Sequence, residues 1–118
     1  MTSREFEERV ATALRKRGWV TGPSFKGIGM DMFACAPDGT RACIQCHSGK
    51  NPVEAYAIRD IIDGKNQYGC QTAAVVTEGG YTWAAISIAD EGKIRLMRYS
   101  EETGALEYAY PFVYGMPW

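Results

Sequence analysis

Histidine is almost absent from this 118-residue chain, so imidazole chemistry has one position to occupy, His47. Long apolar runs are absent too. Nothing approaches the roughly 20 residues that cross a bilayer, and "MTSREFEERV" is charged where a secretory signal is apolar, so neither membrane span nor signal is expected. No excess of either charge sign exists: the formal net charge is −1, which gives no global attraction for nucleic acid yet leaves room for a local basic groove. Four cysteines without a secretion signal read as free thiols, not as a disulfide framework. No repeat, linker or low-complexity tract divides the chain.

What is present is an ordinary globular composition, 46% hydrophobic and 23% charged. A chain of this length buries about two-thirds of its unfolded surface in one domain. A single domain over 1–118 is therefore expected, in the cytoplasm.

Phe6, Val10, Ala13 and Leu14 recur at helical spacing in "TSREFEERVATALRKRGW", with Thr2 or Ser3 as cap, Glu5 completing a capping box and Gly18 as the stop. "WVTGPSF" reads as a short strand broken at Gly22-Pro23, and "IGMDMFACA" and "RACIQCHS" as two strands around Pro37-Asp38-Gly39. A second helix is expected from "NPVEAYAIRDIIDGKNQYG", with Asn51 as N-cap, Pro52 at its first position and Glu54 closing the box. The unbroken apolar run "TAAVVT" fits a central strand covered on both faces. "YTWAAISIADEG" follows as a third helix, with Trp83, Ile86 and Ile88 available for packing, and "KIRLMRYS" and "ALEYAYPF" as a terminal hairpin. The order α-β-β-β-α-β-α-β plus a last strand is that of a mixed α/β domain.

Pro-Asp-Gly matches a three-residue hairpin loop closed by a bulge, with glycine in the left-handed position. That register sets Ala36 opposite Thr40, Phe33 opposite Cys43 and Asp31 opposite Gln45. Strand side chains alternate faces, so Asp31, Gln45 and His47 share one face. By the same rule Cys43 and Cys46 point to opposite faces, so their C-x-x-C spacing reads as two small buried residues. Cys35, Cys43 and His47 share a face and stand as a rival, zinc-binding set.

These motifs, in this order, resemble the Mrr-like branch of the PD-(D/E)xK nuclease superfamily. "FEERV...LRKRGW" resembles its opening helix, "GIGMDMFA" its G-x-G-x-D strand, "CIQCH" its v-Q-x-K strand, and "VVTEGGYTWAAISIA" the strand and helix that follow. The resemblance covers about 3–97 and leaves 98–118 as a hairpin extension. It implies a restriction-endonuclease-like three-layer α/β/α domain with a mixed central sheet. It also implies that Asp31, Gln45 and Glu7 hold Mg²⁺ or Mn²⁺, with His47 in the place of the catalytic lysine. Lys26 or Lys50 could replace that lysine's charge from another backbone position.

The expected activity is metal-dependent hydrolysis of DNA phosphodiester bonds, an endodeoxyribonuclease. The alternative is a weakened or inactive module on the same fold that binds nucleic acid or protein. Phosphate contacts fall to Lys26, Lys50, Arg59, Lys65 and Thr77. A homodimer is expected, and the aromatic end "YAYPFVYGMPW" is a candidate partner surface.

Overall fold

A computed structural model of the chain describes residues 1–110 and 117–118. Its elements are α1 (Ser3–Lys16), β1 (Val20–Gly27), β2 (Met30–Cys35), β3 (Arg41–His47), α2 (Ala55–Gln67), β4 (Thr72–Thr77), α3 (Trp83–Gly92), β5 (Arg95–Ser100) and β6 (Ala105–Tyr108). The six strands form one sheet in the order β1-β2-β3-β4-β5-β6. The β3–β4 and β4–β5 pairs are parallel, and the remaining pairs are antiparallel. This is the expected mixed sheet, element for element.

Two apolar cores flank the sheet. On one face Phe6, Val10 and Leu14 of α1 pack on Met32, Ile44, Val76 and Met97. On the other, Ile58 and Ile61 of α2 and Ala85 and Ala89 of α3 pack on Cys43, Val75 and Leu96. Period-two alternation divides each strand between the cores, giving three layers. β4 is buried on both sides, as its unbroken apolar run requires.

The Pro37-Asp38-Gly39 turn has the register expected of it. Phe33 pairs with Cys43, Ala36 N–H donates to the Thr40 carbonyl at 2.9 Å, and Gly39 sits at φ +90°. Thr2 caps α1 by accepting from Glu5 N–H at 3.1 Å.

Four local expectations are corrected. β1 runs unbroken through Gly22-Pro23, because it is an edge strand that tolerates a missing donor and absorbs two register shifts. α2 starts at Ala55, not after Asn51. The reason is Val53, whose N–H donates to the Gly80 carbonyl (2.9 Å) and whose carbonyl accepts from Thr82 N–H (3.0 Å) in a parallel bridge to Tyr81. A backbone committed to that bridge cannot enter a helix. Trp83 does not pack; it is 84% exposed. The aromatic end is partly consumed inside the fold. Trp118 stacks on Trp19 at 4.7 Å and donates its indole N–H to Thr72 Oγ1 at 3.0 Å, while Tyr110 meets Tyr81 edge-on at 6.1 Å. Phe112 and Tyr114 lie outside the described residues.

The topology gathers one end of the sheet. The carboxyl ends of β1, β3, β4 and β5, the start of β2, and the first turns of α2 and α3 all meet there. The β1–β2 turn presses directly onto α2. A Cβ on Gly29, which sits at φ +64°, would lie 2.1 Å from the Asp60 carbonyl oxygen. Gly29→Ala is therefore expected to lower unfolding free energy by about 2–4 kcal/mol, read from the shift in urea midpoint at constant m-value.

Candidate active site

Asp31 enters the gathered end from the start of β2, Gln45 and His47 from the end of β3, Lys26 from the end of β1 and Glu7 from α1. Asp31 is the joint between them. Its Oδ2 accepts from Cys46 N–H at 2.7 Å, and its Oδ1 accepts from Lys26 Nζ at 2.8 Å. Lys26 Nζ also donates to Glu7 Oε2, while Ser24 Oγ donates to Glu7 Oε1 at 3.0 Å. The side chains of Glu7 and Asp31 are only 8% and 18% exposed, against 63% for Lys26. Two sequestered carboxylates thus converge on one cationic centre, with one negative charge left over.

Gln45, expected as a metal ligand, is held by hydrogen bonds at both ends of its amide. Its amide nitrogen donates to the carbonyls of Gly29 (2.8 Å) and Ala57 (3.0 Å), and its oxygen lies 2.6 Å from His47 Nε2. Carbonyls only accept, so the amide orientation is fixed. His47 must then carry its proton on Nε2, which leaves Nδ1 as the acceptor. Gln45 ties the β1–β2 turn, α2 and β3 together and sets the tautomer of His47.

Burial pushes the His47 pKa below its ordinary value, and the charge of Asp31 opposes that shift without cancelling it. His47 at neutral pH is therefore an uncharged imidazole. Burial also works against the charge of Lys26, but its hydrogen bonds to Asp31 and Glu7 outweigh this and raise its pKa. The permanent positive charge of the site comes from β1.

A cleft of about 270 Å³ opens here, lined by Lys26, Asp31, Gln45, His47, Tyr56 and Asp60 among others. Tyr56 and Asp60 escaped sequence reasoning, although their i, i+4 spacing places both on one face of α2. The bond between Ser24 and Glu7 also went unread. Ser24 and Lys26 are two apart on a strand, which was a usable signal. Lys50, Arg59 and Lys65 lie outside the cleft lining. Thr77 is fully buried, and its Oγ1 accepts from Gly79 N–H at 3.1 Å. It caps the loop after β4 and cannot reach a phosphate.

The cysteine alternative does not assemble. Cys43 packs in the α2–α3 core and Cys46 against the α1 core, on opposite faces as alternation demands. Burial pushes both thiols up. Among the described residues no three His, Cys, Asp or Glu side chains converge as a metal site, so the Cys35, Cys43 and His47 set falls away.

A depressed histidine pKa has a signed consequence for stability. The contribution from keeping His47 neutral is complete above about pH 6.5 and is lost as pH falls through the lower folded value. Being the only histidine, it gives one proton NMR titration, with an expected midpoint below 6.5. Asp31→Asn, which removes the opposing charge, should lower that midpoint further.

Comparison with known proteins agrees with this architecture. No curated protein sequence matches the chain. Among solved structures, the protein of unknown function AF1548 superposes with a TM-score of 0.67 at 21% identity, over 81% of this chain and 58% of that one. EndoMS, solved with double-stranded DNA, gives 0.63 at 14% identity over 81% and 44%. A repair endonuclease from Pyrococcus abyssi gives 0.59 at 14% identity over 81% and 46%. The chain spans roughly half the length of these three, and the likeness is one of fold. The Mrr_cat family model, described as restriction endonuclease, matches residues 1–101, and the chain belongs to that restriction endonuclease family.

Proposed function

We propose that this domain is a metal-dependent nuclease that hydrolyses phosphodiester bonds of DNA. One observation carries the reading: carboxylate oxygens of Glu7 and Asp31 converge on a single cation position beside an open cleft. DNA as substrate draws on family membership and on the fold shared with EndoMS, which is seen with double-stranded DNA. One cleft acts on one strand, so cutting a duplex on both strands calls for a homodimer.

The donor set fits a hard divalent cation. Mg²⁺ binds through one or two carboxylates and keeps several waters, and the two acids supply that and no more. Glu7 and Asp31 would hold it. Gln45, engaged by His47, would serve as a positioning residue. When bound, the metal polarises a phosphate oxygen and acidifies water.

The chain's own residues divide the remaining tasks. Lys26 stays charged and offers positive charge to the phosphate as negative charge develops on it. Neutral His47, with Nδ1 free of the bond made by Nε2, can take a proton from a water molecule in the cleft. Charge and proton acceptance, which one lysine combines poorly, are thereby split between β1 and β3. A second reading, a module that binds nucleic acid without cutting, rests on Lys26 filling the space between the two acids.

Cleavage of a labelled DNA substrate in Mg²⁺ or Mn²⁺ separates the two. Asp31→Ala should remove activity and Lys26→Gln should reduce kcat by about 10²–10³-fold, with unchanged circular dichroism. If no divalent metal elicits cleavage that Asp31→Ala abolishes, the nuclease reading is wrong and the binding module takes its place.

A further inference from the structure

Two rings play no part in the cation cage. Trp83, the first residue of α3, is 84% exposed, the most exposed large hydrophobic side chain among the described residues. Tyr56, the second residue of α2, is 61% exposed and lines the cleft. An aromatic ring left in water forfeits the apolar burial that would stabilise the fold. Both rings stand at equivalent places. The bridge between Val53 and Tyr81 holds the β3–α2 and β4–α3 loops side by side, so the two helices start next to each other. Gly79 tightens the arrangement, since a Cβ there would lie 2.5 Å from the Lys50 carbonyl oxygen. The aromatic pair therefore borders the end of the sheet that carries Asp31.

The charges around the rings decide what they can take. The exposed charges beside the rings are of both signs, Lys50 and Arg59 with Glu54 and Asp60. An intact duplex keeps its base faces stacked inside, out of reach of exposed rings. An unpaired base presents a face that stacks on an aromatic ring whatever its sequence.

We propose that Tyr56 and Trp83 form a stacking platform for unpaired bases, so that a single-stranded segment of DNA feeds the cleft. This rests on the nuclease reading for its biological sense, but its test does not need cleavage. Lys50 and Arg59 then serve as individual phosphate contacts beside the stacked bases.

Tryptophan emission provides the readout. Trp19 is buried and Trp118 is stacked on it, so Trp83 is the solvent-facing fluorophore. In EDTA, an oligodeoxythymidylate of about 12 nucleotides should quench the full chain's emission saturably. Trp83→Leu should abolish that quenching. Trp83→Leu and Tyr56→Leu should each weaken binding of the fluorescein-labelled strand by about 10-fold in anisotropy titrations, with unchanged circular dichroism. A duplex of the same length should bind at least about 10-fold more weakly. The proposal is overturned if duplex binds as tightly as single strand, or if the variants bind like the wild type. It is equally overturned if self-association of the free chain already shields Trp83 from iodide. Metal-dependent cleavage with no preference for unpaired DNA sinks the platform alone. Single-strand quenching without cleavage by any divalent metal sinks the nuclease reading alone.

Discussion

The carboxylate of Asp31 is the constraint on which the site's geometry depends. One oxygen accepts a backbone N–H of β3 and the other accepts the ammonium of β1, so a single side chain fastens three neighbouring strands at one end. A charged acceptor largely withdrawn from water needs such partners, because an unpaired buried charge is costly. Glu7 is under the same constraint from the opposite layer and meets it with Ser24 and Lys26. Lys26 completes the hydrogen bonding of both acids and is held in place by them. The cage is a small, overdetermined electrostatic unit at the open end of the sheet.

Around it the backbone sets tolerances that side chains could not. Gly29 lies on the α2 backbone at Asp60, and Gly64 allows α2 to approach the Ile28 carbonyl. Gln45 then bonds to carbonyls of both the turn and the helix. The β1–β2 turn is fixed by close approach first and by hydrogen bonds second, and it carries Lys26 on one side and Asp31 on the other. Rigid placement of this kind is what catalytic geometry demands.

Much of this was legible in the chain itself. Periodicity gave the elements, the Pro-Asp-Gly turn gave the β2–β3 register, and alternation showed that Cys43 and Cys46 could not act together. The family motifs pointed to Glu7, Asp31, Gln45 and His47 as one site, and the structure brings them to the same end of the sheet. The illegible parts share a physical cause, since each depends on contacts distant in sequence. Asn51 and Pro52 have sound helix-start chemistry, but a bridge from Val53 to Tyr81 overrides it. That Gln45 also ties the β1–β2 turn to α2 through two carbonyls was not readable from its motif. Lys26 and Lys50 stood as equal candidates for the missing cation, because nothing local announces that α1 and β2 both aim acids at Lys26.

The site draws on both layers: Glu7 comes from α1, while Asp31 and Gln45 line the cleft with Tyr56, Ala57 and Asp60 of α2. Its assembly consequently reports on the docking of both layers at once. Sub-global openings in which α1 alone swings away leave the remaining sheet and its helices intact yet separate the paired acids. Competence of the cage therefore requires both layers to be docked, a stricter condition than the folding of either one.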